Sequence, residues 1–113
     1  LIKGTYMQPH LHPGKEKTEK MSVVEGSFKL IYFDDDGNVI RNVVIDKEFQ
    51  NYIEVPPFTW HTYVPLTDKV LVYETMNGTY EPSSWKRLAN WAPKESDDNY
   101  EVYLKKLNKI NLT

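Results

Sequence analysis

Short apolar and aromatic runs separated by turn-forming residues fill about the first eighty positions of this chain, a pattern typical of an antiparallel sandwich or barrel. Between residues 28–33 and 39–45 stands the sequence Asp-Asp-Asp-Gly-Asn, which favours a tight hairpin. Further runs lie at 5–7, 21–24, 52–55, 62–64 and 70–76, with a turn expected at Asn77-Gly78. About seven such strands are enough to close a small antiparallel barrel, so the chain is predicted to be mainly β.

Helical periodicity is confined to the C-terminal end. Ser96 can cap a helix over about residues 96–110, in which apolar residues recur every three or four positions and lysines gather towards the end. These apolar positions are Tyr100, Tyr103, Leu104, Leu107 and Ile110. We therefore expect one domain over residues 1–113, with a barrel over about 1–92 and a helix packed on its outside.

Composition excludes several classes of function. The 113 residues leave no room for separate substrate and cofactor domains, and the net charge of -2 provides no field that would hold nucleic acid. The absence of cysteine means that any metal must be held by nitrogen and oxygen. No apolar run approaches the roughly 20 residues of a membrane span. We expect a soluble, cytoplasmic protein with neither a nucleic-acid nor a membrane partner.

The first residues have the character of a strand rather than a signal peptide. Because the chain begins inside this predicted strand without an initiator methionine, we expect further residues to precede Leu1. An open barrel leaves edge strands that need covering, and the apolar strand beginning at Leu1 is one candidate edge. We therefore expect a homodimer.

All three histidines fall into one pattern. His10 and His12 are two positions apart, so on a strand they lie on one face and converge on one point inside a barrel. Tyr6 and Gln8 share that face if Pro9 does not break the pleat, and His61 must come from a facing strand. Histidines also occur singly on strands as half-buried or surface residues, but the joint spacing favours a site for one divalent metal ion: Zn, Fe, Mn, Ni or Co.

A carboxylate completes the predicted ligand set. Glu19 begins a strand and lies seven residues before Gly26, so that a hairpin can bring it beside His10 and His12. Glu16 is the alternative, but it stands in the charged sequence Lys15-Glu16-Lys17, where a solvated role is expected. We prefer Glu19 as the fourth ligand.

The spacing of these residues resembles the first motif of the cupin superfamily, which reads Gly, five residues, His-x-His, a few residues, Glu, six residues, Gly. The matching positions are Gly4, His10, His12, Glu19 and Gly26, with a gap from His12 to Glu19 that is longer than usual and places Glu16 at the shorter spacing. The second motif, Pro-x-Gly-x-x-His, is matched by Pro56 and His61, with Phe58 in place of glycine and Pro65 in place of the asparagine that often follows. The resemblance implies a double-stranded β-helix, a jelly-roll-like barrel, that holds a metal.

A narrower resemblance covers nearly the whole chain. Residues 4–15, 55–62, 73–82 and 91–95, followed by Tyr-Leu-Lys-Lys-Leu, look like the WbuC-type cupin metalloproteins. That resemblance implies an association with O-antigen or other surface-polysaccharide synthesis, and hence a carbohydrate ligand.

Several further residues are candidates for catalysis or binding. A metal can polarise a sugar carbonyl during isomerisation or epimerisation, and such a reaction needs a proton carrier, for which we nominate Glu74 and Tyr63. The ordinary alternatives are that Glu74 faces solvent and Tyr63 belongs to the core. The candidate substrate-binding residues are Tyr6, Gln8, Lys15, Trp60 and Trp91, of which the aromatics serve equally well as barrel packing and Lys15 as a solvated loop residue.

Three functions remain open. The first is a metal-dependent isomerase or epimerase acting on a carbohydrate or sugar nucleotide. The second is an Fe(II)-dependent oxygenase, and the third is a non-catalytic metal-dependent sugar-binding or regulatory module.

Overall fold

A computed structural model of the chain describes residues 2–77 and 85–110, and within them it contains eight strands and one helix. The strands are β1 (His10–Leu11), β2 (Glu19–Glu25), β3 (Ser27–Phe33), β4 (Val39–Asp46), β5 (Tyr52–Val55), β6 (Trp60–Pro65), β7 (Leu71–Met76) and β8 (Arg87–Leu88). The helix is α1 (Tyr100–Asn108). Gly78, part of the predicted Asn77-Gly78 turn, and Leu1 lie outside the described residues.

The strands form two antiparallel sheets. The larger has the order β4-β3-β6-β1-β8 and the smaller the order β5-β2-β7. The predicted mainly β fold with a C-terminal helix is confirmed, including the hairpin of β3 and β4, whose turn is held by bonds from the Asp36 and Asn38 amides to the Asp34 carboxylate. Among the described residues no strand pairing joins the two sheets, so the barrel is not closed.

The main hydrophobic core lies between the two sheets. Met21 and Val23 of β2 face Phe28 and Leu30 of β3 there, because alternate side chains of each strand point inward. The opposite face of β3 carries Ile31, which packs with the helix in a second cluster. The helix therefore covers the outside of the five-stranded sheet, on the face opposite to the main core.

Two predicted boundaries differ from the structure. The helix begins at Tyr100 rather than near Ser96, because residues 94–97 form a turn in which the Asp97 side chain accepts a bond from the Lys94 amide. Asn99 is the N-cap residue and makes no side-chain cap bond. The run 5–7 lies outside the strands, and the first strand of the larger sheet starts at His10, directly after Pro9, which has no amide hydrogen to donate to a ladder. Within the described residues, no helix is long and apolar enough to cross a membrane.

A buried lysine connects the larger sheet to the end of the helix. Lys29, on β3, is only 3% exposed, and its ammonium donates hydrogen bonds to the carbonyl oxygens of Leu107 (2.7 Å), Asn108 (3.3 Å) and Ile110 (3.0 Å). The last carbonyls of a helix have no partner within the helix, and a cation is favourable at that end. Burial lowers the pKa of Lys29, but the three acceptors stabilise its charged form.

Replacing Lys29 with methionine is expected to lower the free energy of unfolding by about 1.5–3 kcal/mol, the usual net value of hydrogen bonds to a charged group. The measurement is urea denaturation followed by circular dichroism. Lys20→Met is the matched control, because Lys20 is exposed on β2 and its loss should change stability by less than about 0.5 kcal/mol. Equal stabilities for the two variants would contradict a role for Lys29 in holding the helix.

Among the described residues, each sheet ends in two strands that pair on one side only. In the larger sheet these are β4 and β8, and in the smaller sheet β5 and β7. Such edges offer unpaired backbone groups to a second chain. The homodimer stays a prediction.

Candidate metal centre

The three histidines come together between the two sheets. His10 on β1 pairs directly with His61 on β6, and the two ring centroids are 4.5 Å apart. The His12 ring lies 5.2 Å from that of His10 and 5.8 Å from that of His61. All three residues are buried, and one nitrogen atom from each lies within 4.8 Å of the others. They form a group that could hold a metal ion.

Backbone hydrogen bonds fix the orientation of each imidazole. The Nδ1 atoms bond to the carbonyl oxygens of Gln8 (His10, 3.1 Å), Trp85 (His12, 2.9 Å) and Thr59 (His61, 2.8 Å). Because a carbonyl oxygen only accepts, each neutral ring must carry its proton on Nδ1 and leave Nε2 as a free lone pair. This is the arrangement that histidine ligands of metals generally show.

Two of these free nitrogens are buried beside a carboxylate. Nε2 of His12 and Nε2 of His61 make no well-formed hydrogen bond among the described residues, although oxygens of Glu19 lie 3.2 Å and 3.7 Å from them. Buried polar atoms are nearly always satisfied in native proteins, so two such atoms in one place need an explanation. A divalent ion bound by the three imidazole nitrogens would explain why they are left without good hydrogen bonds. Such nitrogen donors suit Zn, Fe, Mn, Ni or Co.

Glu19, at the start of β2 in the facing sheet, is the carboxylate that reaches the histidines. Its Oε2 lies 3.2 Å from Nε2 of His12, and its Oε1 lies 3.7 Å from Nε2 of His61. The hydroxyl of Tyr63 donates a hydrogen bond to Oε1 and so holds the carboxylate in place. Glu16 is exposed in the loop between β1 and β2. The structure thus brings Glu19 to the cluster and leaves Glu16 in solvent.

The electrostatics of the cluster favour the deprotonated forms of His10 and Glu19, the forms that bind a metal, whereas they favour the protonated form of His12. Burial, together with the neighbouring His61, lowers the pKa of His10 to about 3. Burial alone raises the pKa of Glu19, but His12 and His61 outweigh it and bring that pKa to about 2. Burial lowers the pKa of His12, yet the Glu19 carboxylate and the Trp85 carbonyl reverse the shift and raise it overall.

A cavity of about 490 Å³ opens over this cluster. It is lined by His10, His12 and Glu19 together with Met7, Tyr63, Glu74, Thr75, Met76, Trp85 and Lys86. Both candidate proton carriers therefore border it. Glu74 is exposed as a residue, but its carboxyl group is partly surrounded by protein. This partial burial, with the charge of Glu19, raises the pKa of Glu74, although His12 and His61 act in the opposite direction.

The predicted aromatic residues lie elsewhere. The Tyr6 hydroxyl donates to the Pro93 carbonyl at 2.7 Å, and its ring packs against the helix residue Tyr100. Trp60 and Trp91 pack against each other with ring centroids 5.9 Å apart, in the cluster on the helix side of the larger sheet. These three residues do not border the metal cavity, and its aromatic walls are Tyr63 and Trp85 instead.

Gln8 and Lys15 also lie away from the metal cavity. The side-chain amide of Gln8 donates to the Ala89 carbonyl at 2.9 Å, and Gln8 borders a separate groove together with Lys94. Lys15 is exposed in the loop before β2. The cationic side chain at the cavity is that of Lys86, which sequence reasoning missed, and we find no sequence signal that would have identified it.

Comparison with known proteins adds little to this description. A family model described as a domain of unknown function (DUF6016) matches residues 1–45. The matched part includes His10, His12 and Glu19 and ends before His61. No curated protein matches the chain.

Proposed function

We propose that this protein binds one divalent metal ion through His10, His12 and His61, with Glu19 as the fourth ligand. The observation that carries the proposal is the convergence of three imidazoles whose Nδ1 atoms are all engaged by backbone carbonyls. The resemblance of the motifs to cupins supports the same ligand set. Four ligands of this kind leave coordination positions open to water or substrate when the ion is five- or six-coordinate.

We propose further that the protein acts in the cytoplasm on a carbohydrate or sugar nucleotide, as an isomerase or epimerase in surface-polysaccharide synthesis. When bound, the metal would supply a Lewis acid for a carbonyl or enediolate oxygen of the sugar. Glu74, at the mouth of the cavity, would carry the proton between substrate carbons, since a carboxyl with a raised pKa suits that task. Tyr63 would keep Glu19 oriented, and Trp85 offers a flat apolar wall for a sugar ring.

Replacing Glu19 with glutamine is expected to weaken binding of Zn²⁺ or Mn²⁺ by about 10- to 100-fold or more. Loss of a residue that only supports a metal ligand already weakens binding by about 10- to 100-fold, and Glu19 is proposed as a ligand itself. Isothermal titration of the protein stripped with chelator measures the affinity. Glu16→Gln is the matched control, with the same change of charge in an exposed side chain three residues away, and its affinity should equal that of the wild type. The reverse result would make Glu16 the ligand.

The function is tested in two stages. Elemental analysis of protein purified without added metal should give about one equivalent of a divalent transition ion, and a protein that neither contains nor takes up such an ion would refute the proposal. The loaded protein is then incubated with aldoses and ketoses in D₂O. Isomerisation or epimerisation predicts deuterium at the carbon beside the carbonyl, detected by NMR, and its loss in Glu74→Gln.

Two other outcomes would replace the isomerase. Iron as the resident metal, with oxygen consumption when a ligand is added, would favour the Fe(II)-dependent oxygenase. Saturable sugar binding without deuterium incorporation or oxygen consumption would favour the non-catalytic binding or regulatory module.

A further inference from the structure

Lys86 is a charged residue of the metal cavity without a partner in the described part of the chain. It borders the cavity together with Glu74 but makes no ion pair or hydrogen bond with Glu74 or with any other described residue. The ammonium of a lysine is a compact, flexible donor that readily donates hydrogen bonds to carboxylate or phosphate oxygens. A cation that no described residue pairs with, beside a candidate metal site, favours a ligand with negative charge.

The backbone that carries Lys86 is fixed to the metal cluster. The preceding residue, Trp85, accepts the Nδ1 hydrogen bond of His12 at 2.9 Å. The following residues form β8, which pairs with β1 in the register His10 to Leu88 and Leu11 to Arg87. Lys86 is exposed and borders the neighbouring groove as well, but it stands between two backbone contacts to the segment that carries His10 and His12.

The charge balance of the cavity favours a ligand with one negative charge. Among the described residues, the charged side chains that line the cavity with the histidines are the carboxylates of Glu19 and Glu74 and the ammonium of Lys86. With a divalent ion in place the two carboxylates offset the ion, and Lys86 leaves one positive charge in excess. Protonation of Glu74 would increase that excess.

The size of the cavity limits the ligand. At about 490 Å³ it lies in the lower half of the roughly 300–1,000 Å³ of small-molecule sites. A single sugar ring with one charged substituent suits this space. Glu74 and Trp85 provide a polar and an apolar wall for the ring.

We propose that the ligand is an anionic monosaccharide, whose carboxylate or phosphate pairs with Lys86 while its hydroxyl or carbonyl oxygens face the histidine cluster. This inference rests on the proposed metal site, because the excess positive charge exists only when the divalent ion is bound. It names the substrate class of that site and excludes neutral sugars as the preferred ligands.

The test is a titration of the zinc-loaded protein, with zinc content measured in the same sample, using galacturonate, galactose 6-phosphate and galactose. At low ionic strength one or both anions should bind at least about tenfold more tightly than galactose, equivalent to one charge-assisted hydrogen bond. The stronger anion identifies whether a carboxylate or a phosphate is recognised. Lys86→Met should reduce the preference to less than twofold. Lys94→Met, which makes the same change of charge at the neighbouring groove, should leave the preference intact.

The outcomes separate this inference from the function on which it rests. A full equivalent of zinc with equal binding of galactose and both anions, or with a preference that survives in Lys86→Met, overturns the anionic ligand alone. A protein that takes up no divalent ion overturns the proposed metal site and the inference together.

Discussion

His61→Ala is expected to abolish stoichiometric metal binding and to lower the affinity for Zn²⁺ by more than about 100-fold. Loss of a residue that only holds a metal ligand in place lowers metal affinity by about 10- to 100-fold, and loss of a ligand should cost more. His61 is completely buried on β6, a strand paired on both sides, so the Thr59 carbonyl and its neighbours aim its ring with little freedom. Without it, an ion at this site loses one of its three nitrogen ligands, and a buried gap takes the place of the His61 ring.

Two measurements establish the result, namely metal content after dialysis and the shift of the melting temperature with added Zn²⁺. An ion that binds only the folded state stabilises it, by about 4 kcal/mol when its free concentration is 1,000 times Kd. The wild type should therefore melt higher with zinc, and the variant should not. Lys15→Ala, an exposed change in the loop before β2, should behave as the wild type. Undiminished zinc stabilisation in a folded His61→Ala protein would remove the histidine cluster as the binding site.

Strand parity explains both the success and the failure of the sequence-based prediction around His61. Tyr63 has the parity of His61, and the structure places both on the side of the larger sheet that faces the small sheet. Trp60 is adjacent to His61 in sequence and therefore points to the opposite face, where it packs against Trp91. Alternation along β6 therefore predicts that Tyr63, and not Trp60, faces the cavity.

The same rule failed upstream of His10 for a different reason. Tyr6 and Gln8 share the parity of His10, but alternation holds only within a continuous strand, and Pro9 precedes the start of β1. Tyr6 bonds to the Pro93 carbonyl beside the helix instead. That contact is long-range, and a local pattern contains no information about it.

The wall formed by Trp85 and Lys86 could not be predicted either. It depends on the pairing of the two-residue strand β8 with β1, and strands so short have no recognisable periodicity.

The loop before His61 contains a residue whose backbone conformation is unusual for its type. Phe58, at the position where the cupin motif has glycine, adopts φ of 58°, a left-handed conformation that is strained for an aromatic residue.

The turn between β2 and β3 gives the second large expected effect, the destabilisation of the fold by Gly26→Ala. Gly26 has φ of 82°, and a Cβ atom there would overlap the backbone carbonyl oxygen of Lys69 and the hydroxyl of Thr67. The left-handed conformation costs an L-residue about 1–2 kcal/mol, and overpacking adds about 1–3 kcal/mol. We expect Gly26→Ala to lower the free energy of unfolding by about 2–5 kcal/mol.

Gly4→Ala separates the two contributions to this loss. Gly4 has φ of 91°, close to that of Gly26, but a Cβ atom at Gly4 would meet nothing within 4 Å. Its replacement should therefore cost only the conformational strain of about 1–2 kcal/mol, measured by urea denaturation under the same conditions. Equal losses in the two variants would mean that the segment containing Thr67 and Lys69 moves aside without cost. A larger loss in Gly26→Ala would show that the segment containing Thr67 and Lys69 cannot move aside without cost.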